Sequence, residues 1–240
     1  MQAIATFLSA LVLAASIAAG GLFLREGMIR FNAQQGVVSV KGLAEKSVEA
    51  DLGVWRISHS VKEWDLPAAR QKLQTNQQAI ESFLKQNGFA PEEYARKSIS
   101  LFQGREVAAQ VGEVQEYKNT FEMTQTITVR SPKVREIEKA AQNTFALIAQ
   151  DVLLTNSDPV YMYTKLNEVK PDMIAEATRN ARDAATRFAQ DSNSKVGKIL
   201  SADQGWFNIL SAYGDEVENE QASIEKKVRV VTTVNFTLID

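Results

Sequence analysis

At 240 residues and 45% hydrophobic content, the chain is long enough to bury a substantial core. The formal net charge of -2, spread over mixed acids and bases, argues against nucleic-acid binding, which wants a basic patch. With no cysteine and a single histidine, His59, the chain excludes disulfides, thiol nucleophiles, a Cys-linked lipid anchor, Cys-zinc sites and multi-histidine metal sites.

Residues 3–24 contain no charged side chain. At about 1.5 Å of rise per residue they make a helix roughly 33 Å long, enough to span a bilayer. Residues 1–30 therefore read as a membrane anchor or signal segment, 31–36 as a polar linker and 37–240 as the folded domain. Length, and the lack of Lys or Arg before the apolar run, favour an uncleaved anchor. Ala18-Ala19-Gly20 keeps open a cleaved signal and a soluble periplasmic product. Arg25 and Arg30, which follow the span, favour a cytoplasmic C-terminal side by the positive-inside rule.

The domain opens with VVSVKGLAEKSVEADLGVWRISHSV, residues 37–61. Val38 and Val40 alternate with Ser39 and Lys41, the period of a half-buried strand. Gly42 is expected to supply a turn. Val48, Ala50, Leu52 and Val54 then share a face, whereas Trp55, Ile57 and Val61 are out of phase with them. A Gly at that switch, Gly53, predicts a β-bulge. Asp65 can cap a helix with Pro67 in its first turn. Leu66, Ala69, Leu73, Ile80, Phe83 and Leu84 form its apolar face, and Gly88 ends it.

Residues 94–103 read as a strand and 104–114 as a loop. From Tyr117 to Val129, Tyr117, Phe121, Met123, Ile127 and Val129 face one way, and Thr120, Thr124, Thr126 and Thr128 the other. Ser131-Pro132 signals a helix start, with Val134, Ile137, Ala141, Phe145 and Ile148 as its buried stripe. Val160, Met162, Thr164 and Leu166 alternate as a strand. A helix after Pro171 buries Ile174, Ala177, Ala181, Ala184 and Phe188. Residues 196–207 form a strand, 213–225 an acidic loop and 228–239 a last strand. The expected fold class is α+β: antiparallel sheet with packed helices, two strand–helix–strand–strand units and one N-terminal transmembrane helix.

Three stretches resemble the SIMPL-domain family of bacterial envelope proteins, which includes periplasmic immunogenic proteins. They are VSVKGLAEKSVEADLGVWRISHSV, YKNTFEMTQTITVRSPKVREI and ARDAATRFAQDSNSKVGKI. Where members usually have a Gly at the end of the last helix, this chain reads Ser192-Asn193-Ser194; Asn tolerates the left-handed cap. The resemblance implies an α+β domain in the envelope, self-association and a stress-related role, with no established catalytic residues. It favours export, against the two arginines. The expectation is thus a single-pass inner-membrane protein with its bulk in the periplasm.

No residue pattern specifies a reaction. His59 lacks an oriented carboxylate and nucleophile, and reads as a strand histidine in a polar position. Substituting it by Gln is expected to leave folding intact. Asp215, Glu216, Glu218, Glu220 and Glu225 lack the order of an EF-hand loop. GREVAAQVG is not a phosphate loop. Trp206, Phe207, Ile209 and Leu210 form a dense apolar cluster, read either as core or as a subunit contact. No catalytic, metal or cofactor-binding residue is expected. Two functions stay open: a membrane-tethered, non-enzymatic envelope protein that self-assembles into a homo-oligomer or binds a partner, and a hydrolase using sheet-edge carboxylates. An open sheet whose last strand, residues 228–239, is an edge covered by another subunit would serve the first, and a central place between two strands would explain its two apolar faces as well.

Overall fold

The computed structural model describes residues 36–111, 114–213 and 220–239. The expected membrane segment, residues 3–24, lies outside them. No helix among the described residues is long and apolar enough to cross a membrane. The fold is α+β, with antiparallel sheet and four α-helices among the described residues.

β1 (Val37–Glu49), β9 (Glu225–Ile239) and β8 (Lys195–Ser211) form a three-stranded sheet in the order β1-β9-β8. The last strand therefore has a neighbour on each side: of the two places open to it, covered edge and centre, it takes the centre. Its apolar character on both faces is that of a central strand. The second sheet is built on β2 (Leu52–Glu63) and β5 (Val114–Ser131), antiparallel from Gly53 opposite Ser131 to Glu63 opposite Phe121. β3 (Tyr94–Arg96) and β4 (Ser100–Val111) share the free side of β5. β6 (Leu153–Asn156) and β7 (Pro159–Met162) share that of β2.

The opening stretch corrects two expectations. β1 runs through Gly42 without turning, and pairing is unshifted at Gly53. The change of buried face comes instead from a change of sheet at Ala50 and Asp51. Ala50 N–H donates to Ile224 C=O at 2.9 Å and Asp51 N–H to Met162 C=O at 3.0 Å. The Asp51 carboxylate accepts from Thr164 N–H at 2.8 Å and from its hydroxyl at 3.1 Å. Asp51→Ala is expected to lower stability by about 1–2 kcal/mol, because charge-assisted bonds are lost and a backbone donor is left unpaired. The urea midpoint measures it; an unchanged midpoint contradicts the role.

α1 (Leu66–Gln86) follows its sequence signals. Asp65 accepts from Ala68 N–H at 3.2 Å, Pro67 sits in the first turn, and Gly88 takes φ +86°. Ala69, Leu73, Ile80, Phe83 and Leu84 are buried as expected, whereas Leu66 is exposed. α2 (Val134–Gln142) starts after Ser131, whose hydroxyl accepts from Lys133 N–H at 3.1 Å. The expected stripe breaks at residue 143. In α3 (Phe145–Ile148), Leu147 is buried, and Phe145 and Ile148 point out. α4 (Leu166–Asp191) begins ahead of Pro171 and buries Val169, Met173, Ala177, Ala181, Ala185 and Ala189, with Phe188 exposed. Leu166 thus belongs to this helix and not to the strand before it. Asn193 adopts φ +58°, the left-handed end expected, and Ser194 N–H closes on Ala189 C=O at 2.8 Å.

By contacts the chain divides into two units: Met1–Gly42, Thr178–Gln204 and Thr232–Asp240, and Leu43–Ala177 with Gly205–Val231. In the first, Val40, Ala181, Ala185, Val234 and Phe236 make the core, and the Arg182 guanidinium lies 4.8 Å from the Phe236 ring centre. Alanines let the helix backbone lie close on the sheet. In the second, Trp55, Ile57, Ile80, Phe83, Ile127 and Ile137 lead a large core, continued by Val61, Leu73 and Met123. A separate cluster gathers Ala44, Val169, Met173, Ala177, Val228 and Val230.

A polar knot closes the second unit behind the 3₁₀ turn Pro91–Glu93. Glu93 accepts from Lys133 Nζ at 2.8 Å, Ala90 N–H at 2.9 Å and the Ser131 hydroxyl, while Lys133 Nζ also reaches Gly88 C=O at 2.9 Å. The Lys133 bond, with help from Ser131 and Ala90, pulls the Glu93 carboxyl down to about 2. A carboxylate depressed in the folded state stabilises the protein above its unfolded pKa, near 4.5, and that contribution is lost as pH falls toward 2. Glu93→Gln is expected to cost about 1–3 kcal/mol at pH 7 and almost nothing at pH 2. Urea titrations at both pH values check this; an equal cost at both contradicts it.

Candidate interaction surface

Residues 205–211 of β8 take their faces from strand alternation. Phe207 and Ile209 turn inward onto the cluster of Val228, Val230 and Met173, and Lys170 Nζ lies 5.7 Å from the Phe207 ring centre. Trp206 and Leu210 alternate to the other face. Trp206 is 89% exposed and Leu210 half-buried. The four residues read as one cluster in the sequence are thus split between core and surface.

Bonds along the strands align what lies beside Trp206. Ala212 N–H donates to Glu225 C=O at 3.0 Å, which carries Trp206 opposite Val231 along the β8–β9 pair. On the other side of β9, Glu45 meets Arg229 at 3.6 Å and Lys227 at 3.9 Å, which carries Leu43 opposite Val231. Leu43, Val231 and Trp206 so form an apolar row across the open face, with Glu45, Lys227 and Arg229 beside it. At Gly205 a Cβ would come within 2.5 Å of Val231 C=O, so the backbone next to Trp206 approaches its neighbour more closely than a side chain allows. Among the described residues β8 has a partner on one side only. From Gln204 to Ser211 it carries no charge, whereas natural edges are often blunted with Lys or Pro.

Further exposed apolar residues mark the edge of the second sheet. Phe102, Leu101 and Val107 lie on β4, and Tyr117 on β5. Residues 104–111, within a stretch expected to be a loop, make up most of β4, in a β4–β5 ribbon that extends past the last β2 partner, Phe121. Both ribbon faces are wet, so neither helical nor strand periodicity stands out there.

His59 is not in a polar position. It is fully buried in β2, in phase with Trp55, Ile57 and Val61. Of the acidic loop, Asp215, Glu216 and Glu218 lie outside the described residues. Arg135 bonds Glu225 and, at 2.8 Å, Glu49, and the guanidinium holds the Glu225 carboxyl below its ordinary range. No group of three or more His, Asp or Glu among the described residues is placed to hold a metal. The surface has open grooves of about 360 Å³ beside Asp183, Arg187 and Phe188 of α4, about 420 Å³ beside Glu81, Lys85 and Arg96, and about 240 Å³ beside Lys97 and Arg130.

Among family models, the one described as SIMPL, protein of unknown function (DUF541), matches residues 38–237. A comparison with curated proteins gave no match.

Proposed function

The chain belongs to the SIMPL family, and from that premise we propose a membrane-tethered, non-enzymatic envelope protein that works by self-assembly through the β8 edge. Residues 3–24 are the tether, and residues 37–240 stand in the periplasm. The single observation that carries the assembly reading is Trp206: 89% exposed, on an edge strand that carries no charge from Gln204 to Ser211 and in a row with Val231 and Leu43. A large aromatic held rigidly in water on a sheet edge gains nothing for the isolated fold and suits a buried contact. Strand addition satisfies the unpaired N–H and C=O groups of β8, and Trp206 supplies apolar area at the same place. A second copy pairing edge to edge gives a two-fold contact in which the same strand serves both sides.

The hydrolase reading draws less support. A general acid wants a carboxyl pushed up by burial. Glu93 and Glu225 are both held down by a neighbouring cation.

A photo-cross-linking amino acid placed at 206 in cells tests the assembly. The expected product is a band at twice the chain mass, absent when the probe sits at Lys97. Capture at neither position, or equally at both, contradicts a β8 contact. An alkaline phosphatase fusion at the C-terminus tests location: an active fusion supports export, and an inactive one supports the two arginines.

A further inference from the structure

Most of the layer between α1 and the second sheet is aliphatic, and one level of it is polar. His59 on β2 and Gln125 on β5 stand directly opposite each other, and both point to the α1 side. On either side of them along the sheet lie Ile57 with Ile127, and Val61 with Met123. Facing those pairs from α1 are Ile80 and Leu73, and between these on the same helix face is Asn76. His59 is 0% exposed, Asn76 4% and Gln125 5%. Neither ring nitrogen of His59 has a hydrogen-bond partner, nor has Asn76 Nδ2 or Gln125 Oε1. On its other side β2 pairs with β6, which sets Leu154 beside His59. None of the side chains facing the ring from α1, β5 or β6 is ionisable. Lys72 of α1 and Glu63 of β2 pair with each other at 3.3 Å toward the surface, and Arg56 and Lys62 on β2 and Glu122 on β5 stand at positions that alternate to the opposite face from His59 and Gln125.

A neutral imidazole can be kept in such a layer. An imidazolium cannot, because no carboxylate among the described residues pairs with it and the ring is shut off from solvent. We propose that His59 is an acid-sensitive latch on the α1–sheet contact: the uncharged ring belongs to the packed layer, and taking up a proton loosens α1 from the sheet. Burial pushes the His59 pKa down, opposed only by the nearby Gln125 amide, which does not reach hydrogen-bond geometry at either ring nitrogen. The sign follows. The unfolded or opened chain binds the proton more readily than the packed one. The contribution is therefore complete above the unfolded pKa, near 6.5, and is lost as pH falls through that value toward the folded one. One proton is taken up, so the opening equilibrium shifts by up to about tenfold per pH unit in that window. This window opens near 6.5, above the 4.5 at which the Glu93 window opens, so the two can be told apart between those values. The latch needs neither the tether nor the assembly, and it stands or falls separately from them.

The test uses the full chain in detergent micelles. Because His59 is the single histidine, its ring signals in a histidine-labelled sample need no assignment, and they give its pKa directly. Amide exchange of residues 66–86 is followed from pH 7.5 to 5, corrected for intrinsic rates, with residues 166–191 as the internal reference. The expected result is a ring titrating below 6.5. Opening of α1 should rise by up to about tenfold per unit of acidification, and the reference helix should stay flat. His59→Gln and His59→Phe should both abolish the dependence; the Phe variant serves if Gln fails to fold. A ring titrating at or above 6.5, equal acceleration in both helices, or an unchanged pH dependence in a folded variant overturns the latch.

Discussion

Trp55→Ala is expected to cost about 3–5 kcal/mol, a large share of the stability of an ordinary domain. Trp55 is 0% exposed and sits in the largest core cluster, edge-on to Phe83 with ring centres 6.4 Å apart. Its indole N–H donates to Ser157 C=O at 2.8 Å, which ties the segment between β6 and β7 to β2. Truncation opens a cavity and leaves that carbonyl without its donor. Trp55→Phe keeps much of the volume and loses the donor, so about half the cost is expected. Urea unfolding of the two variants decides it. A loss under 1 kcal/mol for the alanine variant contradicts the packing described.

Trp206→Asp is expected to do the reverse: little change in stability and loss of assembly. At 89% exposure the indole contributes little to the isolated fold, and surface substitutions usually stay within about 0.5 kcal/mol. In a paired edge the carboxylate is forced into an apolar contact, and the like charge of the second copy faces it across the two-fold. Equal melting temperatures with separated subunits are the expected pair of results. A strongly destabilised variant assigns Trp206 to the core instead.

What the sequence disclosed follows from how one-sided each element is. α1 was legible from cap to stop because Asp65, Pro67 and Gly88 each act locally and one face meets a sheet. The left-handed end at Asn193 was legible for the same reason. β1 and β2 were misdivided because a change of sheet at Asp51 and a bulge at Gly53 leave the same mark, an inverted alternation. The β4–β5 ribbon was missed because two wet faces leave no period to read. The phase of His59 with Trp55, Ile57 and Val61 was present in the sequence. Residue polarity outweighed it, and the polar partners Gln125 and Asn76 come from elements far along the chain. Alternation separates Trp206 from Phe207, and only the order β1-β9-β8 puts Leu43 and Val231 in its row. The two-sided apolar pattern of the last strand fitted an edge covered by another subunit and a central strand equally, until its neighbours were known.

The measurement closest to the central claim is the mass of the assembled particle. Light scattering after size exclusion, corrected for bound detergent, is applied to the full chain over a micromolar dilution series. The account predicts a mass of two or more chains that falls toward one on dilution. Trp206→Asp should run at the single-chain mass at every concentration. A wild-type protein that stays at the mass of one chain throughout, with Trp206 still in water, would contradict assembly through β8.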